Sequence, residues 1–273
     1  MQTLDRDIMG AADTARGAWR MRAASHIGCV RSRNEDAVYF DEQVGLAVLA
    51  DGMGGHQGGD VAAQMAVETV SQALRPWLLQ HSSLDPAHAQ ETELQTLEAH
   101  IRQAVRSANA RIHTASRERV ELQGMGTTLV VAVWRGSELL VGHVGDSRAY
   151  CLRRSALAGS PQGITQLLRL TEDHSTEVPG GNSLTRALGT DEETTLEWHR
   201  HPLHPTDVVM LCSDGLSDCV GAQALERSLL LAADLSRGPE QALAQGVDQL
   251  IALALKAGGP DNISVILARR ETP

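Results

Sequence analysis

An α+β fold, built from antiparallel sheets with helix pairs on the outside, is the class this sequence predicts, and three observations carry it. Short apolar and β-branched runs bounded by turn formers fill 37–50 and 127–150. Two pairs of segments carry apolar residues at helical spacing, each pair following a group of strands. The resulting order is strands, two helices, strands, two helices and a last strand, which lacks the alternation of a doubly wound parallel sheet. With 273 residues, 42% hydrophobic and 21% charged, the chain suits one large domain.

The elements follow in order. Residues 1–22 carry Asp5, Arg6, Asp7, Asp13, Arg16 and Arg20 without an apolar core, which excludes a secretory leader and predicts a loosely docked extension; its boundary with the domain is set at 20/21. Runs at 37–40 and 44–50, separated by Asp41, Glu42 and Gln43, predict a hairpin. Past the glycines of 52–59, Val61, Met65 and Val70 predict a helix that ends before Pro76, and 80–90 reads as a loop. Leu94, Leu97, Ile101, Ala104, Val105, Ala108 and Ile112 trace one apolar face of a helix over 91–117. Strands follow at 127–134 and 139–144, joined by a tight turn at Arg135, Gly136 and Ser137. Further strands are expected at 149–152, 166–170, 194–198, 207–212 and 262–268, with helices at 222–233 and 241–257, the second opened by Pro239.

Composition excludes several functions. Lys+Arg 24 against Asp+Glu 34 gives a formal charge of -10, the wrong sign for nucleic-acid binding through phosphate neutralisation. Lys256 is the only lysine, far from any strand-to-helix glycine loop, which removes a Walker-type phosphate loop, a protein-kinase site and a Schiff base. Cys29, Cys151, Cys212 and Cys219 form no C-x-x-C pair; Cys151 and Cys212 lie in apolar runs as small buried thiols, and a reducing cytoplasm is the expected compartment. No stretch approaches the roughly 20 apolar residues of a membrane helix, so no membrane association is expected. A serine esterase built on Gly145, Asp146 and Ser147 would need a later histidine as base, but the last histidine is His204, and none follows the later aspartates. A dinucleotide loop starting at Gly52 fails because Gln57 stands where its third glycine belongs.

One pattern recurs. Apolar strands run into Asp51-Gly52, Gly145-Asp146 and Asp214-Gly215, and Asp261 stands at the mouth of the last strand. Each Asp-Gly alone is a turn signal. Converging carboxylates repel one another by about 1 kcal/mol or more per close pair unless a cation lies among them. An all-oxygen ligand set selects Mg²⁺ or Mn²⁺ over Zn²⁺, and ions that share a carboxylate activate water toward an electrophile such as phosphorus. Arg31 and Arg33, just before Glu35 and Asp36, supply the positive partner a phosphate needs.

Eight segments in order, Arg31 to Asp36, Ala50 to His56, Gly126 to Thr128, Gly145 to Tyr150, Leu170 to Ser175, Leu184 to Gly189, Cys212 to Gly215 and Gly259 to Asn262, resemble the motif set of the PP2C-type metal-dependent protein serine/threonine phosphatases in their bacterial form. The resemblance covers about 21–270. It implies a four-layer αββα sandwich and the hydrolysis of phosphoserine and phosphothreonine in proteins by a hydroxide bridging two Mn²⁺ or Mg²⁺ ions. Asp51 would bridge the ions, with the Gly52 carbonyl on one and Asp214 and Asp261 on the other. Glu35 and Asp36 would act through water, Asp146 with Asp214 would hold a weaker third ion, and Arg31, better placed than Arg33, would bind phosphate.

Two departures stand out. Animal-type members carry histidine directly after the Asp-Gly, where this chain has Met53, so the proton donor is open; His56 and His174 are near in motif terms but read better as structural. Between His174 and Leu184 the flap usual in bacterial members is shortened or absent, which predicts an open cleft and weak third-ion occupancy. The implied partners are phosphorylated proteins, including a cognate serine/threonine kinase or its substrates, with the chain a monomer. The competing reading is a catalytically weak regulator of the same fold that binds phosphoproteins.

Overall fold

The computed structural model describes residues 19–54, 58–81, 91–157, 160–178 and 181–271. Strands β1 (Trp19–His26), β2 (Asp36–Asp41) and β3 (Leu46–Met53) precede helices α1 (Gly59–Gln80) and α2 (Glu91–Glu118). After a 3-10 turn come β4 (Gly126–Thr127), β5 (Leu129–Arg135), β6 (Glu138–Val144), β7 (Arg148–Leu157) and β8 (Ser160–Arg169). The chain continues through β9 (Ser175–Val178), β10 (Gly181–Leu184), β11 (Glu197–Pro202) and β12 (Val208–Cys212). It closes with α3 (Asp214–Ser217), α4 (Ala222–Ala232), α5 (Pro239–Lys256) and β13 (Ile263–Arg270).

The strands assemble into two large antiparallel sheets, ordered β1-β13-β12-β7-β8 and β11-β6-β5-β3-β2, with β4 paired to β3. Strand alternation explains how they stack. In β3, Leu46, Val48 and Ala50 join the core with α1 and α2, while Ala47 and Leu49 point into the core between the sheets. In β12, Val208, Met210 and Cys212 meet α4 and α5, and Val209 and Leu211 face the other sheet. Strands buried on both faces lose the usual polar alternation and read as unbroken apolar runs. The result is the four-layer αββα order expected from the sequence.

Three local expectations need correction. Residues 19–22 are not an extension: β1 begins at Trp19 and pairs along its length with β13, burying Trp19 and Met21 between the sheets while Arg20 reaches Glu42 and Glu271. The rest of the expected extension, 1–18, lies outside the described residues. Helix α1 does not stop before Pro76 but runs through it to Gln80. Leu74 and Leu78 are fully buried on either side of an exposed Pro76, so the carbonyl deprived of its hydrogen bond faces water and packing carries the helix on. Most of the expected loop, 82–90, is outside the described residues. The strand expected at 194–198 is shifted to β11, because backbone pairing with β6 recruits exposed His199 and Arg200.

The segment between His174 and Leu184, where a shortened or absent flap is expected, carries strands and no helix among its described residues. Strands β9 and β10, four residues each, pair there as a two-stranded ribbon. Among the described residues no helix is long and apolar enough to cross a membrane.

Candidate active site

Sheet register brings the first two carboxylates together: Asp36 on β2 is the direct partner of Asp51 on β3. Gly52 then approaches so closely that a Cβ there would lie 2.0 Å from the Gly59 carbonyl oxygen, and its N–H donates to the Glu35 carbonyl at 3.1 Å. Asp51 is held from two sides by the Thr127-Thr128 pair. Its N–H donates to Thr128 Oγ1 and its carbonyl accepts from Thr127 Oγ1, both at 2.9 Å. Thr128 Oγ1 in turn lies 2.7 Å from Ser147 Oγ, beside Asp146.

The second sheet supplies the opposite wall. Asp214 follows directly on β12, and Asp261 stands just ahead of the neighbouring β13. Ser213 ties the two sheets: its hydroxyl donates to Asp36 Oδ2 at 2.9 Å and accepts from the Ser264 N–H at 2.9 Å. Asn262 clamps the loop between β1 and β2, accepting from Glu35 N–H at 2.8 Å and donating to the carbonyls of Ile27 and Arg33 at 2.9 and 2.8 Å. On that loop Gly28, at φ 82, would put a Cβ 2.2 Å from the Asp261 carbonyl oxygen, a contact and a backbone angle only glycine tolerates. Arg31 crosses to Asp261 Oδ2 at 2.6 Å, whereas the exposed Arg33 bonds through its carbonyl.

Electrostatics separates this group from ordinary surface acids. Burial, reinforced by Asp36 and Asp214, pushes the Asp51 carboxyl well above the usual carboxylate range. Burial raises Asp36 to about 7 against the opposing Ser264 and Ser213 hydrogen bonds, with Asp214 and Asp261 adding to the rise. Asp214 is raised by burial and Asp261, and Asp146 rises to about 7 by burial and Asp214. Glu35 is raised by burial and Asp60. Asp36 Oδ1 and Asp214 Oδ1 are buried without a hydrogen-bond partner. Unpaired, desolvated carboxylate oxygens, with no sulfur or imidazole among them, form a donor set that suits a hard divalent cation. Asp51, Asp214, Asp261 and the Gly52 carbonyl could hold such ions, with Asp146 toward Asp214.

The structure thus brings Arg31, Glu35, Asp36, Asp51, Gly52, Asp146, Asp214 and Asp261 to one end of the facing sheets. Two surface pockets of about 380 and 430 Å³, at Arg169 to Asp173 and between α2 and Gly189, include none of these residues. His56 lies outside the described residues. His174 is buried and packed: its ring stacks on His143 at 4.6 Å, its backbone N–H donates to the Gly145 carbonyl at 3.0 Å, and its ring Nε2 lies 3.0 Å from Glu197 Oε2. Reasoning from the sequence missed the supporting roles of Thr128, Ser147, Ser213 and Asn262; the last three stand beside a quoted aspartate and Thr128 lies in a quoted segment, but the partner of each is distant in the chain.

Comparison with known proteins bears on this geometry. The family model described as "Protein phosphatase 2C" matches residues 23–252. A serine/threonine phosphatase stp from Listeria welshimeri is 32% identical over 252 residues, 89% of this chain and 92% of that protein. The serine/threonine protein phosphatase PstP of Mycobacterium tuberculosis is 36% identical over 256 residues, 91% of this chain but 44% of the relative. A crystal structure of the PstP catalytic domain in complex with two manganese ions superposes with a TM-score of 0.72 at 30% identity, covering 93% of this chain and 99% of that one.

Proposed function

Because the chain belongs to the protein phosphatase 2C family and is an enzyme, one of its metal-dependent protein serine/threonine phosphatases, we propose that this site hydrolyses phosphoserine and phosphothreonine esters without a phosphorylated enzyme intermediate. The observation that carries the reading is the meeting of Asp36, Asp51 and Asp214 as desolvated, mutually repelling carboxylates beside the Arg31 guanidinium. Two Mn²⁺ or Mg²⁺ ions on Asp51, Gly52, Asp214 and Asp261, when bound, supply charge neutralisation and a water activated for attack.

The chain's own residues orient and screen. Arg31 leaves Asp261 to grip two equatorial phosphate oxygens, which its planar fork matches. Thr128 and Ser213 keep Asp51 and Asp36 in place while charge develops, so no reorganisation is needed at the moment of reaction. Glu35, fixed by Asn262, accepts hydrogen bonds from water in the centre together with Asp36. Proton return to the departing serine or threonine oxygen falls to solvent within the site, since the described His174 is packed against Glu197 and His143.

In the cell we place the protein in the cytoplasm as a monomer that opposes a bacterial serine/threonine kinase, with the kinase or its targets as substrates and with Mn²⁺ filling a weaker third position at Asp146. The test is release of phosphate from a phosphothreonine peptide with Mn²⁺ and with excess EDTA, paired with intact-mass measurement of the enzyme during turnover. Manganese-dependent release with no 80 Da adduct (about the mass of one transferred phosphoryl group) supports the proposal. Peptide binding without turnover would support the regulator reading, and turnover in EDTA would overturn metal-assisted hydrolysis.

A further inference from the structure

We propose that His143, His174 and Glu197 form a second metal site, for a zinc-class divalent cation, separate from the carboxylate centre. Each of the three offers a ligand atom, and these atoms all lie within 4.8 Å of one another. Strand pairing builds it: His143 on β6 and Glu197 on β11 are direct register partners, so their side chains share one face. His174 reaches the same spot from the segment ahead of the ribbon and stacks on His143 with ring planes 17° apart.

The hydrogen bonds set His143 up as a ligand. Its Nε2–H donates to the Glu172 carbonyl at 2.7 Å, which leaves Nδ1 as the bare lone pair, and that nitrogen is fully buried without a partner. A backbone carbonyl holding the far N–H of a metal-binding imidazole is the usual outer-shell arrangement. Glu197 is oriented in the same way, with His199 Nε2 on Oε1 at 2.8 Å and Oε2 turned to His174 Nε2 at 3.0 Å. Two imidazole nitrogens and one carboxylate oxygen suit Zn²⁺, with water in the fourth position, whereas the all-oxygen centre suits Mn²⁺ or Mg²⁺.

Loading requires three changes. The His174 ring proton shifts from Nε2 to Nδ1, so no proton is gained or lost overall, and the Gly145 N–H, which donates to Nδ1 at 3.2 Å before loading, must turn away from the new Nδ1–H. One of the stacked rings tilts so that both lone pairs converge, and Arg186, exposed and 3.3 Å from His174 Nε2, swings into solvent. The bound ion would fix the turn that carries Asp146, because His174 is bonded to Gly145, and would hold the base of the ribbon, because the His174 carbonyl accepts from Thr185.

Cobalt is the probe, added to the whole chain and followed by visible absorption. Expected is an intense four-coordinate Co²⁺ band that one equivalent of Zn²⁺ removes, retained in Asp214→Asn and lost in Glu197→Gln and His143→Gln. By competition, the zinc affinity of Glu197→Gln should fall by more than the roughly 10–100-fold that losing an outer-shell partner costs. Far-UV circular dichroism checks folding, and if His143→Gln does not fold, Glu197→Gln decides alone. Absence of the band in the native chain, its persistence in Glu197→Gln, or its loss in Asp214→Asn alone overturns the proposal.

Discussion

Asp36 and Asp51 oppose each other as paired residues of adjacent antiparallel strands, and Ser213 from the other sheet donates to Asp36. The closeness of these two acids is therefore imposed by sheet register. The rigid scaffold holds the acids together against their own repulsion.

Asp51→Asn and Asp214→Asn separate activity from stability. Each removes a repelling carboxylate, so the melting temperature in EDTA is expected to stay level or rise. Manganese-dependent turnover of a phosphopeptide is expected to fall at least about 100-fold. Calorimetry and phosphate release measure the two effects; a large loss of stability in EDTA would contradict the repulsion argument.

Asn262→Ala removes the clamp on the loop that carries Arg31 and Glu35. Three hydrogen bonds are lost and their backbone partners are left behind, a cost of about 2–4 kcal/mol. Urea unfolding reads the loss directly. The peptide KM is expected to rise as well, since the loop is then free to shift; an unchanged midpoint would show that the clamp is dispensable.

Arg31 and Arg33 should differ sharply. Arg31→Lys keeps the charge but not the planar fork, so the phosphopeptide KM is expected to rise several-fold, whereas Arg33→Ala should stay near the native value. Equal effects would move the phosphate contact away from Arg31.

The cysteines give a pH test away from the site. Burial pushes Cys151 and Cys212 up to about 12. Their folded values lie above the unfolded thiol value of about 8.5, so their contribution to stability is complete below that pH and is lost as pH rises toward 12. A thiol reagent at neutral pH should label the exposed Cys29 and spare both buried thiols until the chain is unfolded.

Much of this was legible in the sequence. Strands that are apolar on both faces and end in aspartate announce a two-sided sheet with acids at its rim, and Asp51, Asp146 and Asp214 fall where that pattern placed them. Strand β1 was legible but missed: Trp19 and Met21 alternate with Arg20 and Arg22, a period-two signal masked by the charges ahead of it. Pro76 misled, since a proline's cost depends on whether the freed carbonyl meets water, which only burial reveals. The links from Asn262 to Ile27, from Thr128 to Ser147 and from His143 to Glu197 join residues far apart in the chain, so no local pattern encodes them.

Trp19, on the edge strand β1 of the five-stranded sheet, and Arg270, on its neighbour β13, are direct register partners. Partners in an antiparallel pair sit about 5 Å apart, so with 1–18 and 271–273 trimmed away a few linking residues would close 19–270 into a ring that could be reopened elsewhere with its topology intact. Cargo fused ahead of Trp19 and cargo fused behind Arg270 would emerge side by side, and a split-reporter pair attached at those two points would come together only when this edge is zipped.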